Sequence, residues 1–225
     1  MNSQTVLISG AGGNLGKAVA AEFLKNNWKV AALVNHKGKD NPGTERYTEF
    51  EIDLTDEQSA EKLVGNLIDT YKTIDTAVLT AGGFQMGSLE NTTRADLKKM
   101  FDLNFYTAYN LVRPLTPHLK ETGGNLFLIG SQPGFDTRKG KSTVAYSLSK
   151  SLLFQLANIV NAGFEEIRAH VIVPDTIDTP ENRKSMPKAD FNKWQAPEAI
   201  AKLIFDQAES SDKKNNPVLE VKNYI

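Results

Sequence analysis

Two patterns in this sequence have the residue types and spacing to do chemistry. In Tyr146-Ser147-Leu148-Ser149-Lys150 a phenol and an ammonium stand four residues apart, so on a helix they share one face. A positive charge beside a phenol favours phenolate and draws its pKa down from ~10 towards neutrality, which makes the tyrosine a usable general acid or base. The same pair is also readable as two exposed helix residues, since Tyr and Lys meet at this spacing by chance. The second pattern is Ser9-Gly10-Ala11-Gly12-Gly13-Asn14-Leu15-Gly16, which follows an apolar run and leads into an amphipathic stretch. A glycine-rich turn between strand and helix lets backbone approach a pyrophosphate and sets its charge at the helix N-terminus. Its bland alternative is a tight turn that only needs positive φ. Gly10 and Gly16 lie six apart with Asn14 between them, which is not the Gly-x-Gly-x-x-Gly spacing of long-chain dinucleotide enzymes.

Elements that could position these groups alternate along the whole chain. Short apolar runs rich in β-branched residues occupy 5–9, 29–34, 48–52, 75–80, 125–129, 169–173 and 218–221, with helix-like segments near 15–27, 56–72, 93–119, 143–162 and 196–209. Strand–helix–strand repetition calls for crossover connections. The pattern therefore predicts an α/β fold: a doubly wound, mainly parallel seven-stranded Rossmann-type sheet with helices on both faces. Residues 1–225 are expected to form a single domain. Asn41-Pro42-Gly43 and Gly123-Gly124 supply breaks, and Asp56 and Thr93 look like helix starts. Pro114 and Pro117 should kink or end the helix around 93–119. Residues 210–216 are polar and suit a surface loop.

Composition narrows the chemistry. The chain has 225 residues and no cysteine, which removes thiolate metal ligands, disulfides and cysteine nucleophiles. Twenty-six Lys and Arg against 27 Asp and Glu give a net charge of −1, so no global field favours nucleic acid or an anionic membrane. The three histidines, at 36, 118 and 170, have no metal-ligand spacing, and no metal site is expected. The N-terminus lacks the pattern of a signal peptide and no apolar run approaches ~20 residues, so a cytoplasmic protein is expected.

These motifs, in this order, resemble the short-chain dehydrogenase/reductase family over nearly the whole chain. Residues 9–16 resemble its Thr-Gly-x-x-x-Gly-x-Gly turn, with Ser9 for threonine and Asn14 for the middle glycine, so the resemblance assigns Gly10, Gly12, Gly13, Asn14, Leu15 and Gly16 to the cofactor. It assigns Asp53 and Leu54 to the adenine ring and Ala81, Gly82 and Gly83 to the segment after the fourth strand, where Thr80 stands in place of asparagine. Asn104 matches the family's proton-relay asparagine, Ser131 its substrate-binding serine, and Tyr146 and Lys150 its catalytic pair, which also touches the cofactor. Pro174, Ile177 and Thr179 match the loop that holds the nicotinamide carboxamide. Ser131 precedes Tyr146 by fifteen residues, two more than is usual in the family, and residues 134–141 can hold that insertion. Plain alternatives stand beside these: Asn104 could satisfy local backbone, and Asp53 could be a turn residue.

Beyond the sixth strand, Asp178-Thr179-Pro180-Glu181-Asn182-Arg183-Lys184-Ser185-Met186-Pro187-Lys188-Ala189-Asp190-Phe191, followed by Trp194, resembles the loop of the dihydropteridine reductase group. That likeness implies hydride transfer to a quinonoid dihydropterin-like or small carbonyl substrate, with Met186, Phe191 and Trp194 offering surface to a planar ring. That group generally lacks the serine and the asparagine, so Ser131 and Asn104 keep a general carbonyl or 3-oxoacyl reductase open. A non-catalytic NADP(H)-sensing regulator is the reading from another class. At the second strand's tip, Asn35, His36, Lys37 and Lys39 offer no acid to repel a 2′-phosphate, so NADPH is favoured over NADH. The resemblance also implies a homodimer or homotetramer, with Leu148, Leu152, Leu153 and Leu156 candidates for the seam or for the core.

Overall fold

The computed structural model describes residues 4–37, 44–211 and 217–221. Seven parallel strands form one sheet in the order β3-β2-β1-β4-β5-β6-β7. They are β1 (Thr5–Ser9), β2 (Lys29–Val34), β3 (Tyr47–Glu51), β4 (Thr76–Leu79), β5 (Asn125–Ile129), β6 (Arg168–Val173) and β7 (Val218–Glu220). Alternate residues of the central strands enter opposite cores, as the two-residue period of a strand requires. Leu7 and Ala77 face one cluster, while Val6, Ile8 and Val78 face the other.

The first cluster lies beneath α2 (Glu57–Tyr71), α4 (Thr107–Thr122) and α6 (Val144–Gly163), and the second beneath α1 (Asn14–Lys25) and α8 (Pro197–Ala208). Asp56 caps α2 through Gln58 and Ser59, and Thr93 with Asp96 forms a capping box at the start of α3 (Arg94–Phe101). Two short helices escaped the periodic pattern, α5 (Gln132–Phe135) and α7 (Pro180–Ser185). Four and six residues are too few to show a 3.6-residue repeat.

Pro114 and Pro117 do not end their helix, because α4 runs through both to Thr122. Leu111, Leu115 and Leu119 are fully or almost fully buried on this helix, and that packing outweighs two missing amide donors. The sheet order reverses between β1 and β4, which opens a crevice at their carboxyl ends where an α/β sheet binds ligands. No helix among the described residues is long and apolar enough to cross a membrane.

Candidate active site

The glycine turn sits in that crevice. Gly10 has φ +66°, and a Cβ there would stand 2.8 Å from the Ala81 nitrogen, so only glycine fits both the conformation and the space. At Gly16 a Cβ would lie 2.2 Å from the Gly10 carbonyl, which lets α1 close directly onto the turn. Thr80 Oγ1 donates to the Ser9 carbonyl at 2.7 Å and the Ala81 amide donates to Ser9 Oγ at 3.2 Å, stitching the ends of β1 and β4 together. Helix α1 begins at Asn14 with no side-chain cap and no acidic residue in its first turn, a combination that leaves its N-terminus open to an anion. Gly12, Gly13 and Asn14 are exposed there, and Asn14 Nδ2 donates to Glu181 Oε2 of α7 at 2.9 Å.

At the tip of β2, Asn35, His36 and Lys37 are exposed, and Lys39 lies outside the described residues. The neighbouring strand supplies what β2 lacks: Glu51 lies 3.3 Å from His36 Nδ1. Glu49 lines a hollow of about 370 Å³ with Gly12, Lys17, Val34, His36 and Tyr47. Burial, with the Glu49 carboxylate alongside, pushes the Tyr47 phenol up to about 12. Asp53 Oδ1 accepts from the Thr55 hydroxyl and amide, which holds its carboxyl below the usual range. Leu54 is buried, its carbonyl accepting from Asn110 Nδ2 at 3.0 Å.

The polar centre is built around α6. Asn104 occupies a π-helical turn, Asp102–Tyr106, that widens the junction of α3 and α4. Fully buried, its amide donates to the Gly83 carbonyl at 3.1 Å and to Ser149 Oγ at 3.0 Å, and its Oδ1 accepts from the Gly83 amide at 2.9 Å. Ser149 in turn donates to the Tyr146 carbonyl at 2.8 Å, so the segment at 81–83 is tied to the turn of α6 that carries Tyr146. Lys150 is 6% exposed and its Nζ donates to the Ile129 carbonyl at 2.7 Å, while desolvation brings its pKa down to about 8.

The Tyr146 phenol behaves otherwise than the spacing alone suggests. Burial pushes its pKa up, and the influence opposing that rise is a hydrogen bond with Ser131 rather than the Lys150 charge. Ser131 Oγ also accepts from the Gly134 amide at 3.1 Å, capping α5. Spacing brought the two side chains to one face of α6, but desolvation, which only the fold decides, dominates the titration.

A cleft of about 840 Å³ collects Leu15, Gly82, Gly83, Ser131, Tyr146, Lys150, Pro174, Ile177 and Met186, all singled out from the sequence. Phe191 and Trp194 are not among its lining residues. Their rings pack on each other at 4.8 Å, and the Arg183 guanidinium, paired with Asp178 at 2.5 Å, lies 4.8 Å over Phe191. Thr179 Oγ1 accepts from the Asn182 amide and caps α7. Gln195, missed in the sequence, is buried at the base of this loop and donates to the Val221 carbonyl while accepting from the Asp175 amide. Phe84, Met86, Gln132 and Lys139 also line the cleft and were missed, because their loops carry no periodic signal. Phe84 packs edge-on against Tyr146 at 5.0 Å between ring centres.

Residues 4–190 match the family model described as short chain dehydrogenase. The chain belongs to the short-chain dehydrogenase/reductase family and is an oxidoreductase of that family's NAD(P)-dependent type. It is 25% identical over 217 residues to a dihydropteridine reductase of Dictyostelium discoideum, covering 94% of this chain and 90% of that protein. It is 26% identical over 190 residues to 2,3-dihydro-2,3-dihydroxybenzoate dehydrogenase of Escherichia coli, covering 81% of this chain and 73% of that one. Among solved structures, ElxO with NADP bound superposes with a TM-score of 0.89 at 22% identity, covering 97% of each chain, which shows the shared fold. The residues present fit a nicotinamide dinucleotide: the turn admits no Cβ at Gly10 or Gly16, the α1 terminus is uncapped, and Lys150 and Tyr146 face one cleft.

Proposed function

We propose that this chain reduces a planar, electron-poor carbonyl or imine compound of the quinonoid dihydropterin type, with Tyr146 as proton donor. The observation that carries this reading is the cleft that Ser131, Tyr146 and Lys150 line together, beside the glycine turn. Bound NAD(P)H supplies the hydride, and the protein supplies orientation, a proton and exclusion of water. Because burial raises its pKa, Tyr146 holds its proton at neutral pH and is ready to act as an acid. Ser131 orients the acceptor atom. Lys150, charged below about pH 8, stabilises the phenolate left behind and holds the nicotinamide ribose. Asn104 fixes the backbone at Gly83 and holds the relay that returns a proton.

In the same reading, Gly10, Gly12, Gly13, Asn14, Leu15 and Gly16 hold the pyrophosphate, and Asp53 and Leu54 flank the adenine. Ala81 to Gly83 form the floor, while Pro174, Ile177 and Thr179 take the carboxamide. Asn35 and Lys37 support NADPH over NADH, with Glu49 and Glu51 working against that preference from β3. All of this is the work of one domain, acting as a homodimer or homotetramer. Leu148 and Ile159 of α6 are exposed and suit a seam, whereas Leu153 and Leu156 are spent in the core.

The dihydropterin assignment draws on the named relative from Dictyostelium discoideum and on Met186 in the lid. Ser131 lining the cleft with Tyr146 favours a second reading, a reductase of aldehydes or ketones, whose carbonyl gains from an added hydrogen bond. NADPH and NADH oxidation measured against a quinonoid dihydropterin and a panel of aldehydes and ketones tests both. Turnover of the pterin above the panel supports the first reading and the reverse supports the second. Micromolar NADPH binding with no turnover at all would overturn both in favour of a sensor.

A further inference from the structure

The segment that follows Ser131 adds a charge to the cleft. It folds as α5 and a 3₁₀ turn, Thr137–Gly140. That turn is fixed against α6: Gly140 is buried, and a Cβ on it would stand 2.2 Å from Ser147 Oγ. The Lys139 amide donates to the Asp136 carbonyl at 2.9 Å, so the backbone that carries this lysine is held at both sides. Its side chain lines the cleft, and Nζ donates to Gln132 Oε1 at 2.9 Å.

The neighbouring charges are otherwise engaged. Arg138 is paired with Asp136 at 2.8 Å, and Lys150 is buried against the Ile129 carbonyl. Lys139 makes no ion pair among the described residues. Glu220 stands one residue away, reached by Gln132 Nε2 at 3.4 Å. Asp175, the carboxylate in the same cleft, accepts from the Thr176 amide at 3.0 Å. Gln132 directly follows Ser131, and Gln132, Lys139, Ser131 and Tyr146 all line the one cleft. Phe84, Met86 and Met186 supply apolar surface to the same cleft.

We infer that Lys139, aligned by Gln132, is a specificity-determining residue that selects substrates carrying a carboxylate or comparable acidic group on the planar body whose carbonyl meets Tyr146 and Ser131. This rests on the reductase reading and names the substrate class within it. Lys139 is exposed, so its gain develops as the substrate closes over the pair and water leaves.

The test compares 3- and 4-carboxybenzaldehyde with their methyl esters in wild-type protein, Lys139→Met and Lys139→Arg, alongside binding of terephthalate to the NADPH complex by calorimetry. Wild type is expected to favour at least one acid over its ester by about tenfold in kcat/KM, carried by KM. Lys139→Met should erase that ratio and weaken terephthalate about tenfold with the NADPH dissociation constant unchanged, while Lys139→Arg keeps most of both. Reduction of acid and ester at equal efficiency, or a preference unaffected by Lys139→Met, would overturn the inference and leave the reductase intact. If neither aldehyde is reduced, terephthalate binding that depends on Lys139 still supports the anion site, and the reductase reading stands or falls with the pterin and carbonyl panel. Absence of that dependence overturns the site.

Discussion

Two regions of the cleft are built on opposite principles. The floor, from the glycine turn through Asn104 to Tyr146 and Lys150, is close-packed and tied by buried hydrogen bonds: Lys150 to Ile129, Asn104 to Gly83 and Ser149. The rim, from residues 132–143 and 174–194, consists of short helices and turns with exposed side chains such as Phe84, Met86 and Met186 nearby. Positioning a proton donor demands rigidity and desolvation, whereas choosing a substrate demands surface that can vary without disturbing the sheet. In the proposed function chemistry belongs to the floor and selectivity to the rim, and substitutions can break or sharpen that contrast.

The largest effect is expected at Tyr146. Tyr146→Phe should lower turnover by roughly two to four orders of magnitude, the usual worth of a general acid, with little change in NADPH affinity. Near-wild-type single-turnover rates in stopped flow would move the proton donor elsewhere. Next comes Gly16→Val, which forces a side chain where a Cβ is already 2.2 Å from the Gly10 carbonyl. A loss of roughly 2–4 kcal/mol in thermal or urea unfolding is expected, together with weakened dinucleotide binding. Unchanged stability and NADPH affinity would mean that the turn is looser than its packing indicates.

Lys150 tests whether the floor trades stability for charge. Its pKa is lowered from 10.5 to about 8 in the fold, so its stabilising contribution is present above the unfolded value and is lost as pH falls through the folded one. At neutral pH the buried ammonium is therefore a burden on the fold, and Lys150→Met should raise Tm by a few degrees while removing activity. Reductive turnover in wild type should decline as pH rises through about 8, where the ammonium is lost. A pH–rate profile flat from 7 to 9 would separate Lys150 from the chemistry.

The smallest effect belongs to the rim. Arg183→Ala removes the pair with Asp178 and the contact over Phe191, all near the surface. KM should rise a few-fold through misplacement of Met186, with Tm almost unmoved. A large fall in kcat would instead make the lid part of the catalytic centre.

The floor was largely legible in the sequence and the rim was not, for a physical reason. The limits of β1, β2 and β5 were readable because a buried parallel strand is a continuous apolar run bounded by turn residues. Tyr146 and Lys150 were readable because helical spacing alone sets a shared face. Phe191 and Trp194 read as substrate surface because aromatic residues in a lid suit a planar ring, yet they pack on each other and under Arg183. Lys139 gave no signal, being one lysine in a polar turn whose direction depends on Gly140 packing against Ser147.

By itself, the sequence determined the strand–helix alternation and the glycine turn, which local periodicity and short spacings encode, while the order of its motifs carried the resemblance to the family that pointed to Asn104, Ser131, Tyr146 and Lys150. Tertiary structure alone decided that α4 continues through Pro114 and Pro117, that Glu49 and Glu51 stand beside the β2 tip, and that Tyr146 titrates upward while Lys150 titrates downward. Each of these depends on burial or on a neighbour distant in the chain. Desolvation and long-range contact exist only once the sheet has assembled.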